Sequence, residues 1–222
     1  MEQEHCWLKS TCKGQCSSLC PKFYKLNFLY DSALLSATQR KHLPLYIDDD
    51  NSDLDAFKQL SAIEKNILDF VNNGRNLYIY SSKSGNGKSS WGYRLMQSYF
   101  NHIWHKCELS CRGLYIHVPR LLLSLKDDIS KASAYVQHIK ENFLAADLVI
   151  WDEIGVKALT AFEHEHLLNF INARLDYGKA NIYTSNMQGE ELQALIGDRL
   201  YSRIVNNSIN IEFKGMDKRS LK

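Results

Sequence analysis

Proline is scarce. Three prolines in 222 residues leave little room for disordered linkers, so most of the chain is expected to fold. Long apolar runs are missing as well: none approaches the length of a membrane-spanning helix. The opening Met-Glu-Gln-Glu-His is acidic, unlike a secretory leader. Together these predict a cytoplasmic protein with no membrane partner. An excess of either charge is also lacking, because 27 basic and 25 acidic side chains give a formal net charge of +2. That balance neither demands nor excludes nucleic acid, so any DNA contact must come from a local patch. No internal repeat and no low-complexity tract is present.

What is there suits one mid-sized domain and a small appendage. A hydrophobic content of 45% with 11% aromatics supports a packed core. Four of the six cysteines, Cys6, Cys12, Cys16 and Cys20, crowd the N-terminus. In a reducing compartment such clustering points to metal rather than disulfides. The spacing C-x5-C-x3-C-x3-C differs from the usual C-x2-C knuckle, but four thiolates can close a tetrahedral Zn²⁺ site. The metal would also supply folding energy that so short a segment lacks. His5 is a substitute ligand; the alternative is four unrelated thiols on a mobile tail. Cys107 and Cys111 read as a buried or idle pair. Residues 22–50 interleave Phe23, Tyr24, Phe28 and Tyr30 with Lys22, Lys25 and Arg40. Packing onto the main domain is the first reading. Docking to a partner and stacking on single-stranded bases stay open. The polar run 48–53 sets a boundary near residue 50, giving an N-terminal segment 1–50 and a main domain 51–222.

The main domain is organised around residues 78–90, Tyr-Ile-Tyr-Ser-Ser-Lys-Ser-Gly-Asn-Gly-Lys-Ser-Ser. An apolar strand pattern stops at a loop of small residues and opens into a helix with Trp91, Leu95, Tyr99 and Ile103 four apart. Strand, loop, Gly-Lys-Ser and helix form the arrangement that cradles a nucleotide triphosphate. Backbone N–H groups of Ser84, Gly85, Asn86, Gly87, Lys88, Ser89 and Ser90, with the helix N-terminus, would hold ATP phosphates. Lys88 would reach the β- and γ-phosphates, and the Ser89 hydroxyl would complete Mg²⁺ coordination. The strict pattern wants glycine at position 82, where this chain has Ser82.

A core-facing helix over 53–73, closed by Gly74, precedes that strand. Further strands are expected over 113–118, stopped by Pro119, then 146–155, 180–185 and 208–213. Two helices occupy 120–145, where one crossover helix would suffice. The strand 146–155 is continuously apolar and ends in Asp152-Glu153, at the sheet edge where α/β proteins place ligands. Asp152 would hold Mg²⁺, while Glu153 would orient and polarise the attacking water. Asn186, ending the strand 180–185, can hydrogen-bond the γ-phosphate or that water. Arg199 and Arg203, four apart on one helical face, could reach a neighbouring subunit's γ-phosphate.

In this order, the motifs resemble an AAA+ ATPase of α/β P-loop type. More narrowly they look like replicative-helicase loaders of the DnaC/DnaI type, phage-encoded relatives included. The matching residues are Ser84-Gly-Asn-Gly-Lys-Ser89, Leu148-Val-Ile-Trp-Asp-Glu-Ile-Gly155, Tyr183-Thr-Ser-Asn-Met187, Arg199-Leu-Tyr-Ser-Arg203 and Phe213-Lys-Gly-Met-Asp-Lys-Arg219. The resemblance implies that Arg203 is the trans-acting finger, with Arg199 the second choice, and that Arg219 is a second sensor. It implies that the extra helix lines a pore for single-stranded DNA, and that the N-terminal segment holds a hexameric replicative helicase. The implied activity is ATP-dependent helicase loading. Rival readings are a transposition-associated ATPase of the IstB kind, a non-hydrolysing protein that occupies a host helicase or loader, and a DNA-binding module with a vestigial nucleotide site.

Overall fold

The computed structural model describes residues 6, 8, 12, 17, 19–40, 45, 47, 51–129 and 131–218. Its centre is a parallel sheet of β1 (Asn76–Tyr80), β2 (Gly113–His117), β3 (Leu148–Asp152), β4 (Ala180–Ser185) and β5 (Ile209–Glu212), in the order β2-β3-β4-β1-β5. β3 and β4 are buried at every position, which explains the apolar run Leu148–Trp151 of β3; β4 buries Asn181, Thr184 and Ser185 as well. Side chains alternate between two apolar clusters: Leu77 and Ile79 of β1 join one, Tyr78 the other.

The first face is covered by α1 (Pro21–Ser32), α2 (Leu54–Lys65), α3 (Ile67–Asn72) and α4 (Lys88–Ile103). The second carries α5 (Val118–Asp128), α6 (Ala134–Asn142), α7 (Ala161–Asp176), α8 (Gly189–Ile196) and α9 (Asp198–Tyr201). Parallel strands require such crossovers, so the three layers follow from the strand directions. Among the described residues no helix is long and apolar enough to cross a membrane.

α1 packs on the main domain, as the first reading of the aromatic stretch had it. Leu26, Leu29 and Tyr30 are buried, each contributing roughly 1.5–3 kcal/mol relative to exposure. Tyr30 meets Phe100 of α4 edge to face at 5.4 Å. The Tyr115 amide of β2 donates to Ala33 O at 2.8 Å, so the chain leaving α1 caps part of an edge strand.

One local expectation is corrected. The single helix over 53–73 is broken at Asn66, which leaves helical geometry (φ −112°, ψ 31°) between α2 and α3. Its side-chain amide donates to Ala62 O at 3.0 Å, the local competition that makes asparagine a helix breaker. β2 ends at His117, ahead of Pro119 as expected, and Pro119 sits in the first turn of α5, where its missing N–H costs nothing. The two helices over 120–145 are α5 and α6. Gly74 has φ +59°, and a Cβ there would lie 2.0 Å from Gly178 O, so glycine is required by conformation and by space.

Candidate functional site

The phosphate loop takes its shape from its own side chains. Ser81 Oγ accepts from Lys83 N at 3.1 Å and from Asn86 Nδ2 at 2.6 Å. Asn86 then turns its Oδ1 to Lys88 Nζ at 3.0 Å, and Lys83 O accepts from the same ammonium at 2.8 Å. Lys88 is thus held at the N-terminus of α4, buried to 7% exposure. Gly85 and Gly87 take φ of +75° and +105°, the conformations that turn successive N–H groups inward. Ser82 is exposed and is not among the positive-φ residues. The turn therefore needs no glycine there.

β3 delivers Asp152 beside this loop. Its Oδ1 accepts from Ser89 Oγ at 2.7 Å and from Thr184 Oγ1 of β4 at 2.6 Å; its Oδ2 accepts from Tyr115 OH of β2 at 2.6 Å. Four elements meet at one buried carboxylate. The donor set, a serine hydroxyl and a carboxylate beside an ammonium and a helix N-terminus, fits a magnesium-bearing triphosphate. Ser89 and Asp152 are the residues that would hold the metal.

Glu153 diverges from its neighbour because its backbone is left-handed at φ +63°, a costly conformation for a residue with a side chain. The turn is pinned by Glu153 N donating to Thr184 Oγ1 at 3.0 Å and Ile154 N to Thr184 O at 2.9 Å. The half-buried Glu153 carboxylate meets His117 Nε2 at 3.0 Å. His117 Nδ1 accepts from Arg120 N at the start of α5, so the proton sits on Nε2 and His117 donates to the carboxylate.

Asn186 follows directly on β4, half-buried. The register Tyr80↔Ser185 places it beside the start of the phosphate loop. Arg199 in α9 and Arg203 in the wide helical turn Ser202–Asn206 are exposed. Among the described residues no ion pair links either to the loop or to Asp152. Arg219 and Cys16 lie outside the described residues, as does His5. Cys6 and Cys12 pack against the first apolar cluster, and Cys20 precedes α1. Among the described residues no group of three or more ligand side chains is gathered for a metal.

A C-terminal strap crosses the loop. Lys218 N donates to Gly85 O at 3.0 Å, and a Cβ on Gly85 would lie 2.0 Å from Asp217 Oδ1. Asp53, fully buried ahead of α2, anchors the strap. It accepts from Lys214 N at 2.8 Å, Gly215 N at 2.9 Å and Lys218 Nζ at 2.7 Å.

Sequence reasoning missed Thr184, Tyr115, His117 and Asp53. Thr184 and Tyr115 become visible only once strand order is known, since each reaches Asp152 from a neighbouring strand.

The family described as IstB-like ATP binding protein matches residues 46–219. The replicative helicase loader DnaC of Escherichia coli strain K12 is 26% identical over 147 residues, covering 64% of this chain and 56% of that protein. The chain thus spans a little over half that relative's length. The crystal structure of the DnaC helicase loader superimposes with a TM-score of 0.61 at 15% identity, covering 76% of this chain and 94% of that one. The crystal structure of DnaI gives a TM-score of 0.56 at 17% identity, covering 80% and 88%. The α/β P-loop fold expected from the motifs is the one found, and the resemblance to DnaC/DnaI-type loaders is borne out.

Proposed function

The chain belongs to the IstB-like ATP binding protein family, and from that membership we propose that it is an ATPase whose nucleotide state governs the loading of a replicative helicase onto single-stranded DNA. One observation carries the reading: Lys88, Ser89 and Asp152 converge at the N-terminus of α4, with Glu153 one residue beyond. The similarity to the replicative helicase loader DnaC supports a replicative helicase as partner.

The chemistry divides among the chain's own groups. The loop amides and Lys88 bind and orient the phosphates. Ser89 and Asp152 would hold the metal, which would supply positive charge to neutralise that developing on the phosphates. Glu153 accepts a proton from water, and Asn186 aligns that water or the γ-phosphate. Arg203, with Arg199 behind it, is exposed and suited to act on a neighbouring subunit's nucleotide, so the catalytic unit is an assembly. Arg219, outside the described residues, is assigned the second-sensor role from its place in the motif Phe213–Arg219 alone. Hydrolysis removes the γ-phosphate contacts and releases the helicase, a nucleotide switch that needs only slow turnover. Residues 1–50 form the helicase-facing segment, with zinc on Cys6, Cys12, Cys16 and Cys20; the cysteine clustering alone supports the metal. Metal analysis of purified protein tests it: one zinc per chain is expected, and none overturns it.

The family description also favours a second reading, a transposition ATPase. Co-purification with and without ATP separates the two. Nucleotide-dependent retrieval of a hexameric helicase is expected; retrieval of a transposase and no helicase overturns the loader reading. ATP turnover abolished by Lys88→Ala is expected. Turnover that survives this substitution, or is absent from wild type while partner binding persists, favours a non-hydrolysing interaction protein.

A further inference from the structure

A line of hydrogen bonds runs from the N-terminal segment into the metal site. Gln39 Nε2 lies 2.9 Å from Tyr93 OH, Tyr93 OH lies 3.0 Å from Tyr115 OH, and Tyr115 OH lies 2.6 Å from Asp152 Oδ2. The three residues come from separate parts of the fold: the turn after α1, the second turn of α4, and the middle of β2.

The direction of every bond is determined. An ionised carboxylate only accepts, so Tyr115 donates to Asp152. A phenol has one proton, so Tyr115 must accept from Tyr93, and Tyr93 must accept from Gln39. Gln39 meets that demand because its Oε1 is already taken by Ser36 N at 2.8 Å, which leaves the amide N–H groups for Tyr93. All the dipoles therefore point at Asp152, and each bond polarises the next.

The Gln39 end is held as firmly as the Asp152 end. Gln97 Nε2 of α4 donates to Gln39 O at 2.8 Å. Arg40 Nε donates to Leu35 O at 3.1 Å, and its guanidinium pairs with Asp31 of α1. The Gln39 amide thus sits where the seat of α1 puts it. At the other end, among the described residues Ser89 and Thr184 bond Oδ1 while Tyr115 alone bonds Oδ2. Losing the Tyr115 bond would free the carboxylate to rotate away from Ser89.

We propose that Tyr115 and Tyr93 are positioning residues for Asp152, and that Gln39 couples the seat of the N-terminal segment to magnesium affinity at the nucleotide site. The inference deepens the ATPase reading and rests on it. A partner that draws the turn at residues 33–40 away from α4 would remove the first donor, loosen the relay and weaken the metal. A partner that seats the turn would do the opposite.

The test uses the full-length chain and a fluorescent ATP analogue, titrated with Mg²⁺ and, separately, in EDTA. Tyr115→Phe is expected to raise the half-saturating Mg²⁺ concentration about tenfold with metal-free nucleotide affinity unchanged. Tyr93→Phe and Gln39→Ala should each raise it about threefold. The Gln39→Ala/Tyr115→Phe double variant should match Tyr115→Phe alone, the non-additivity of groups acting in series. Gln39 is a half-buried turn residue, so its variant reports the relay without disturbing the core. Unchanged Mg²⁺ dependence in Tyr115→Phe, with wild type binding normally, overturns the relay and leaves the ATPase reading standing. Additive effects of Gln39→Ala and Tyr115→Phe overturn the coupling to the N-terminal segment. Wild-type protein that binds no nucleotide at any Mg²⁺ concentration removes the ATPase reading, and the relay with it.

Discussion

At the scale of residues, adjacent carboxylates face different partners because one backbone angle separates them. Asp152 ends a buried strand and accepts three hydroxyl bonds. Glu153 turns left-handed and faces His117. Glu153→Gln should therefore keep nucleotide binding while lowering turnover by about 10²–10⁴-fold, measured by parallel binding and phosphate-release assays. Equal loss of both would contradict the division. A third carboxylate, Glu163, is a stability element away from the site. Burial pushes its pKa up, but hydrogen bonds from Lys126, Lys157 and Thr160 outweigh this and hold it at about 2, below its ordinary 4.5. A depressed carboxyl stabilises the fold above its unfolded pKa, and that contribution is lost as pH falls through the folded one. Thermal midpoints should drop between pH 4.5 and 2, and Glu163→Gln should be lower at neutral pH and flatter across this window. The meeting of Lys88, Ser89 and Asp152 at the start of α4 was legible in the sequence because local spacing places them at adjoining loop and strand ends. Thr184, Tyr115 and His117 were not, because a threonine, tyrosine or histidine in a strand acquires meaning only from the strand beside it.

At the scale of elements, the polar run before α2 shows how a local reading misleads. Asp53 belongs to a stretch that reads as a solvated break. In the fold it is fully buried and gathers two amides and the Lys218 ammonium. Its partners lie more than 160 positions away in the chain, so no window of sequence reveals them. Asp53→Ala leaves Lys218, at 8% exposure, without its counter-charge, and should cost about 3–5 kcal/mol. Because the strap touches Gly85, nucleotide affinity should fall as well. Chemical denaturation and nucleotide titration of the variant measure both, and a loss under 1 kcal/mol would mean the pair behaves as an exposed one. Helix 53–73 was legible as a helical pattern but not as two helices, since its apolar period continues across Asn66 while the backbone does not. The capping box of α7, Thr160 with Glu163, was within reach of sequence; its two lysine partners were not.

For the whole molecule, the sheet order is what brings the site together. β4 lies between β1 and β3, so the phosphate loop, Asn186 and the Asp152–Glu153 turn come off neighbouring strand ends. The alternation of strands and helices made the layered fold legible, whereas the order of strands depends on crossovers that no local pattern encodes. α1 extends the first layer and closes one end of the relay to Asp152. Arg199 and Arg203 remain outside, on the surface of α9 and the following turn, where the proposed site between subunits needs them. Arg203→Ala and Lys88→Ala, each inactive alone, should regain part of the ATPase activity when mixed, because one chain supplies the finger and the other the phosphate loop. A mixture no more active than its components would place Arg203 outside the catalytic unit. The most direct measurement of the central claim is calorimetric titration of MgATP into wild-type, Lys88→Ala and Asp152→Asn protein. The account predicts one site per chain in wild type, weakened at least tenfold, about 1.4 kcal/mol, by either substitution. Folded wild-type protein that takes up no MgATP, or variants that bind as tightly as wild type, would contradict it.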